Sequence, residues 1–362
     1  LLSNVAILPA YLRRRLPLQI AAAFPDCDEQ ARQAAARLPA NLDSEACMEN
    51  HEVIVVGGGP AGSSCAWRLR QRGVDVLILD KATFPRTKLC AGWITPQVLS
   101  DLQMDVQEYP HRFLTFKKIK FHLAGLSYSF KTVQHSIRRY EFDEWLIKRS
   151  GADVAFHKVQ KIEKDDEGYI IDDTYRCRYL VGAAGTGCPV YRLLFRQRNP
   201  RSRDLQVVTL EHEFACDYPD DTCHLWFFRH GLPGYSWYVP KENGYLNTGV
   251  GGMSVKLKSG QKGIHNHWDA FTEDLAQSGL VRDYAFKPKG HSYYLRDKVQ
   301  TVRTGNAFIV GDAAGLATRD LGEGIGPAVR SAILVAEAIA RRGEPTLESV
   351  SAFSLRNLLL QR

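Results

Sequence analysis

The chain has 362 residues, 44% of them hydrophobic and 24% charged, with a formal charge of +7 and a mean hydropathy of −0.26. Those values belong to a soluble globular chain of two lobes or one large discontinuous domain, and they exclude disordered, collagen-like and disulfide-scaffold proteins. Nowhere does the chain reach the run of about eighteen apolar residues that a spanning helix needs, so any membrane contact is expected to be peripheral, at the surface.

Residues 1–47 hold five arginines and five acidic residues, and the first methionine is Met48. This stretch reads as a leader outside the fold, since its apolar run after Arg13, Arg14 and Arg15 is short and broken by Pro17 and Gln19. The positive charge lies in the remainder, spread among acidic residues. It suits an anionic cofactor or lipid headgroups as readily as nucleic acid, and no nucleic-acid partner is expected. The eight cysteines, at 27, 47, 65, 90, 177, 188, 216 and 223, form no CxxC pair. That removes the support for structural zinc or a redox dithiol and fits reduced thiols in a cytoplasmic protein.

Val53 to Val56 reads as a buried strand, followed by GGGPAG at 57–62 and a helix from Ser63 to Arg72. In such a turn Gly57 allows the tight bend, Gly59 lets backbone approach a pyrophosphate, and Gly62 lets helix pack against strand. The phosphates then meet unpaired N–H groups at a helix N-terminus. Gly73 ends the helix, and Val74 to Leu79 forms a second strand closed by Asp80, whose carboxylate is placed to accept from a ribose diol. These features together predict a dinucleotide site, with NAD or FAD open at this point.

Residues 111–135 and 191–295 lack such motifs and carry alternating or aromatic-rich runs: Leu114 to Phe121, Leu205 to Phe214, His224 to Phe228 and Tyr235 to Val239. They predict an antiparallel sheet inserted twice into the nucleotide fold. Tyr235, Trp237 and Tyr238 are candidates to line a long apolar pocket. His265 and His267 have no acid or cysteine at ligand spacing and read as solvated loop histidines, so no metal is expected. Near the end, Asn306 to Val310 reads as a strand closing in Gly311-Asp312, and Gly322, Gly324 and Ile325 open a long helix. Pro327 falls in its first turn and Gly343 lies just past its end.

Five segments together resemble the FAD-dependent oxidoreductases of the para-hydroxybenzoate hydroxylase fold, and within them the geranylgeranyl reductase family. They are GGGPAG (57–62), FPRTKLCAG (84–92), RYEFD (139–143), GAAG (182–185), and Gly311-Asp312 with the GEGI run at 322–325. The resemblance implies an α/β fold: a discontinuous Rossmann-like FAD-binding domain of the glutathione reductase type (48–110, 136–190, 296–343) with an inserted antiparallel β substrate domain (111–135, 191–295). It further implies FAD contacts from Gly57, Gly59, Ala61, Gly62, Asp80, Lys81, Arg86, Arg139, Val159, Gly311, Asp312, Gly322, Gly324 and Ile325, and a Cys90, Ala91, Gly92 loop beside the flavin ring.

On that resemblance the expected activity is reduction of a polyprenyl carbon–carbon double bond by reduced FAD, with Cys90 as proton donor and an NAD(P)H or ferredoxin-like electron source. A flavin monooxygenase or halogenase, and a non-catalytic flavin protein, are the alternatives. Two departures stand out. Ala184 occupies a position that is Asp in the hydroxylases, which weakens the hydroxylase alternative, and Arg319 and its neighbours replace a proline, so that Arg319 either approaches the flavin or, the preferred reading, points to water. Longer members of the family continue past residue 362, so 344–362 is expected to be a C-terminal segment whose helical cover is truncated, or else the substrate is smaller or more exposed.

Overall fold

A computed structural model describes residues 48–299 and 301–355. The expected leader at 1–47 and the end of the expected cover, 356–362, lie outside the described residues.

The first sheet is built from strands with apolar residues on both faces, the pattern of a sheet covered on both sides. Its parallel members are β1 (Glu49–Val56), β2 (Val76–Asp80), β6 (Asp153–Phe156), β9 (Tyr175–Gly182) and β16 (Ala307–Ile309), in the order β16-β9-β1-β2-β6. β15 (Arg303–Thr304) adds an antiparallel edge, and β7 (Ile162–Lys164) and β8 (Tyr169–Ile171) form an antiparallel extension from β9.

One face, through Val53, Val55, Ile78, Val181 and Phe308, is covered by α1 (Pro60–Gln71) and by the long C-terminal helix. The other, through Ile54, Val56, Leu79 and Leu180, packs on Tyr169, Ile171, Tyr191 and Phe195. Residues near 191 therefore belong to the core of this sheet, and the second insertion begins its strands only at Gln206. With β2 on one side of β1 and β9 on the other, the carboxyl ends of these strands open the crevice where α/β sheets bind ligands.

The second sheet runs β14-β10-β13-β12-β11-β4-β5-β3. Its strands are β3 (Trp93–Ile94), β4 (Leu114–Leu123), β5 (Leu126–Ser136), β10 (Gln206–Ala215), β11 (Cys223–Phe227), β12 (Gly234–Lys241), β13 (Tyr245–Met253) and β14 (Lys289–Tyr294). The expected sheet is present, with a correction: β11 lies parallel to β4, because that is where the two separately inserted stretches meet. Two short helices, α2 (Pro96–Asp101) and α4 (Ser254–Ser259), flank it.

α3 (Arg139–Arg149) leads from β5 back to the first sheet. α5 (Ile264–Gln277) covers the outer face of the second sheet with Trp268, Phe271 and Leu275 against Trp226, Tyr238 and Leu246. His265 and His267 are therefore helical rather than loop residues, and His267 is buried because it falls on the face that meets the sheet. α6 (Ile325–Arg341) is the long final helix, and its left-handed terminal residue is Arg342 at φ 54° rather than Gly343. No helix among the described residues is long and apolar enough to cross a membrane.

Candidate active site

The turn after β1 crosses the end of β9 so closely that a Cβ on Gly57, at φ +108°, would lie 2.6 Å from Ala184 backbone atoms. Gly59 differs. A Cβ there would meet only side-chain tips, Arg86 Nη2 at 3.4 Å and Arg139 Nη2 at 3.9 Å. The Gly58 N–H donates to Asp80 Oδ2 at 2.7 Å and the Ala82 N–H to Asp80 Oδ1 at 2.9 Å, so the acid at the end of β2 fixes the turn and keeps spare lone pairs. The N–H groups of Gly59, Ala61 and Gly62 have no partner among the described residues. Free amides at a helix start and two guanidinium groups above a bare backbone fit a pyrophosphate.

Arg139, at the start of α3, is buried and held bidentately by Asp143, at 2.6 and 2.7 Å. Arg86 Nη2 reaches the same carboxylate at 3.4 Å. Burial alone disfavours the Arg139 charge, but Asp143 outweighs it and holds the guanidinium ionised, with Cys90 as a neighbour. Asp143 thus presents two cations to the crevice while carrying one compensating charge. Lys88 Nζ donates to His291 Nε2 at 2.8 Å. Burial pushes His291 down to about 4, with Lys88 and Arg139 adding to the effect, so its ring accepts as a neutral group.

From the far end of the chain, the short turn at Gly311–Ala313 brings Asp312 to this crevice, 3.4 Å from the Cβ direction of Gly324. Burial raises its carboxyl, while Lys88, Arg139 and Arg201 pull the other way. The loop before α6 is locked on itself: the Thr318 N–H donates to the Glu323 carbonyl and the Glu323 N–H to Thr318 Oγ1, both at 2.9 Å. The Glu323 side chain accepts the Gly326 N–H at 2.5 Å, and burial pushes that carboxyl up to about 7. The N–H groups of Gly324 and Ile325 have no partner among the described residues, so they stand free at the positive end of a helix of 17 residues. Arg319 turns outward, as expected, and donates to the Arg296 carbonyl.

The Cys90 loop lies against the inner face of the second sheet, where Ala91 packs with Trp93, Tyr235, Trp237, Val239 and Leu321. Alternation along β12 puts Tyr235 and Trp237 on this face and turns Tyr238 to the other, into the core under α5. Tyr238 is thereby separated from the other two pocket candidates. The Tyr235 hydroxyl donates to the Leu321 carbonyl and ties the sheet to the loop before α6. Ring contacts continue outward from Trp237 to Tyr235 (5.9 Å), Phe227 (5.5 Å), Phe121 (5.4 Å) and Phe130 (4.9 Å). At the β4–β5 hairpin Leu123, Leu126 and Tyr128 are exposed, and Phe228, in ring contact with Phe227, is exposed as well.

Other expected residues fall at the margin. Lys81 is exposed just past β2, and the Val159 side chain is in the core of the first sheet, so from that residue only main chain is on offer. Several residues that shape the site were not singled out in the sequence: Asp143 as counter-charge and Lys88, which lie within the quoted segments, and Glu211, Asn247, Tyr293 and the fully buried Lys241, which lie outside them. A charged residue within a strand otherwise rich in apolar side chains, as at Glu211 and Lys241, was the available signal. Among the described residues no group of three or more His, Cys, Asp or Glu side chains converges to hold a metal ion.

A family profile described as FAD dependent oxidoreductase matches residues 52–158. An uncharacterised protein of Methanosarcina barkeri is 32% identical over 311 residues, covering 81% of this chain and 75% of that one. Menaquinone reductase of Mycobacterium tuberculosis is 28% identical over 324 residues, covering 81% and 78%. Among solved structures, a geranylgeranyl bacteriochlorophyll reductase-like protein from Thermoplasma acidophilum superposes with a TM-score of 0.73 at 21% identity, over 81% of this chain and 79% of that one.

Proposed function

Since this chain belongs to the FAD-dependent oxidoreductase family, we propose that it is geranylgeranyl reductase-like within it and saturates a carbon–carbon double bond of a polyprenyl group. The observation that carries this reading is the line of rings from Trp237 to Phe130, an apolar wall that starts at the Cys90 loop and reaches the surface at Leu123 and Leu126. A long hydrocarbon chain matches a wall of that shape better than a compact aromatic substrate does. Menaquinone, which the mycobacterial relative is named for, is a quinone with a polyprenyl tail.

In this reading the free amides of Gly59, Ala61 and Gly62, with Arg86 and Arg139, hold the pyrophosphate, and Asp80 accepts from the ribose. Asp312 serves the ribityl end, with Gly311 and Gly322 shaping the backbone there. Gly324 and Ile325 would offer their free N–H groups to the flavin ring, where they would stabilise negative charge. Bound reduced FAD supplies a hydride equivalent. The chain's own work is to hold the alkene against the Tyr235 and Trp237 face, exclude water and deliver a proton, for which Cys90 is the donor. An isolated alkene has no carbonyl to take up charge, so the position of that donor matters more than its acidity. Electrons enter from an external donor of the NAD(P)H or ferredoxin type. The exposed end of the ring line is where a lipid tail enters, which makes contact with a membrane surface peripheral.

The test is anaerobic. Dithionite-reduced enzyme is mixed with a geranylgeranyl lipid and the product is read by mass spectrometry as a gain of one hydrogen pair for each double bond. Saturation without oxygen supports the reading. A product that appears only when oxygen is admitted, carrying oxygen or halide, replaces it with the monooxygenase or halogenase alternative.

A further inference from the structure

Glu211 has no part in the reading above, yet it sits on the wall that Cys90 faces. It occupies β10 opposite Gly249 of β13, and Trp237 of β12 stands opposite the same glycine from the other side. A Cβ on Gly249 would lie 2.1 Å from the Trp237 ring, so the indole lies directly over the bare backbone between the two neighbouring strands. Its Nε1–H donates to Asn247 Oδ1 at 2.7 Å, which fixes the direction of the Asn247 amide. Asn247 Nδ2 then donates to Glu211 Oε2 at 3.2 Å and to the Cys90 carbonyl at 3.4 Å. One amide therefore touches both the acid and the Cys90 loop. Glu211 is 3% exposed, and its Oε1 has no hydrogen-bond partner among the described residues.

The charged and titratable groups around the carboxyl come from every side. Lys88 lies on the segment before Cys90, Lys241 and Tyr235 on β12, Tyr293 on β14 and Glu213 on its own strand. Lys88, Lys241, Tyr235 and Tyr293 each lie within electrostatic reach of both Cys90 and Glu211, which places thiol and carboxyl in one neighbourhood. Burial pushes Glu211 up to about 7, against the pull of Asn247 and the two lysines, with Glu213 adding to the rise. A carboxyl in that range is protonated on a fair share of molecules at neutral pH and still releases the proton readily.

We infer that Glu211 is the proton reserve of this site and recharges the Cys90 thiol between turnovers. The inference rests on the reading of Cys90 as donor. When the S–H bond breaks and its proton joins the substrate carbon, the sulfur is left as thiolate. The Glu211 O–H bond then breaks, a new S–H bond forms, and the carboxylate takes its next proton from solvent. No electrons move in this exchange, because the pair consumed in saturation arrives with the hydride.

The experiment has two arms on the flavin-loaded enzyme. pH-difference infrared spectroscopy should show a protonated carboxyl band that titrates near neutrality and disappears in Glu211→Gln; a Glu211 already fully ionised at about pH 6 overturns the inference. In the saturation assay Glu211→Gln should keep FAD affinity and the first turnover, while steady-state kcat falls about tenfold and loses its decline with rising pH. Glu211→Asp should recover part of the rate. An unchanged steady-state pH profile in Glu211→Gln also overturns it. If the band behaves as expected but wild type saturates no prenyl lipid, the substrate reading fails while the stored proton stands.

Discussion

The Lys241 ammonium donates to the Ala91 carbonyl at 2.5 Å from a position with no solvent exposure, one residue from Cys90. A second bond, to the Ile137 carbonyl at 2.7 Å, ties the Cys90 loop to the chain entering α3. Burial pushes the lysine's pKa down, and Glu213 Oε2 at 3.8 Å supports the charge. Lys241→Met keeps much of the volume and leaves two buried carbonyls without a donor. The expected cost is about 2–4 kcal/mol of unfolding free energy in urea. The Cys90 loop should also loosen, so labelling of Cys90 by a disulfide reagent should accelerate even where the variant stays folded.

Two glycines of one turn should fail in different ways. At Gly57 a Cβ meets the Ala184 backbone, and the backbone is left-handed, so Gly57→Ala should lower the melting temperature of the apoprotein. At Gly59 the added carbon meets only the movable tips of Arg86 and Arg139. Gly59→Ala should melt near wild type yet lose at least about tenfold in FAD affinity by flavin fluorescence, because the methyl would occupy the place proposed for the phosphates. Equal affinity in that variant would remove the pyrophosphate from this turn.

The parallel sheet was legible because β-branched runs, a glycine turn and a terminal acid stand within about thirty residues, where local physics decides the outcome. Strands with alternating residues, such as β4 and β12, were legible for the same reason. The parallel meeting of β4 and β11 was not, since pairing between inserted stretches depends on long-range packing that no local pattern carries. Tyr238 shows a similar limit. The alternation in Tyr235, Trp237 and Tyr238 separates two faces, but only the position of α5 says which face is covered. Lys241, Glu211 and Asn247 acquire their roles from partners about 35 to 160 residues away, so their importance is a property of the assembled sheet.

Glu323 ties stability to pH. Its folded carboxyl is raised from an ordinary 4.5 to about 7 by burial, so the folded chain holds a proton that the unfolded chain releases earlier. This contribution is complete below about pH 4.5 and is lost as pH rises through about 7, at a cost of up to about 3 kcal/mol. Glu323→Gln keeps an oxygen for the Gly326 N–H and has no proton to lose. The stability difference between variant and wild type should therefore shift in favour of the variant between about pH 5 and pH 8 in parallel urea titrations. A flat difference would mean that Glu323 is ionised throughout.

Cys90 contributes its sulfur to a hydrogen bond from the Gly92 N–H at 3.4 Å, a weak contact that the loop can lose without unfolding, since Lys241 holds it elsewhere. Cys90→Ala should retain FAD and lose most turnover, by about 10²-fold if the thiol is the general acid. The variant separates chemistry from binding: unchanged turnover removes Cys90 as donor, whereas lost flavin would make the loop a binding element instead.

The ring line makes a claim about substrate length that can be tested away from the reacting atoms. Phe227 touches Tyr235 at 5.5 Å on the inner side and Phe121 at 5.4 Å on the outer side, so it is the middle of the wall. A single isoprene unit bound over Trp237, two rings further in, would not reach it, while a chain of four isoprene units would lie across it. Phe227→Ala removes an aromatic contact of about 1–2 kcal/mol, which should raise KM for the long chain about five- to thirty-fold and leave a one-unit substrate unaffected. An equal loss on both would mean that the variant disturbs the sheet rather than a subsite. No loss on either would mean that the hydrocarbon tail leaves the Cys90 loop by another route.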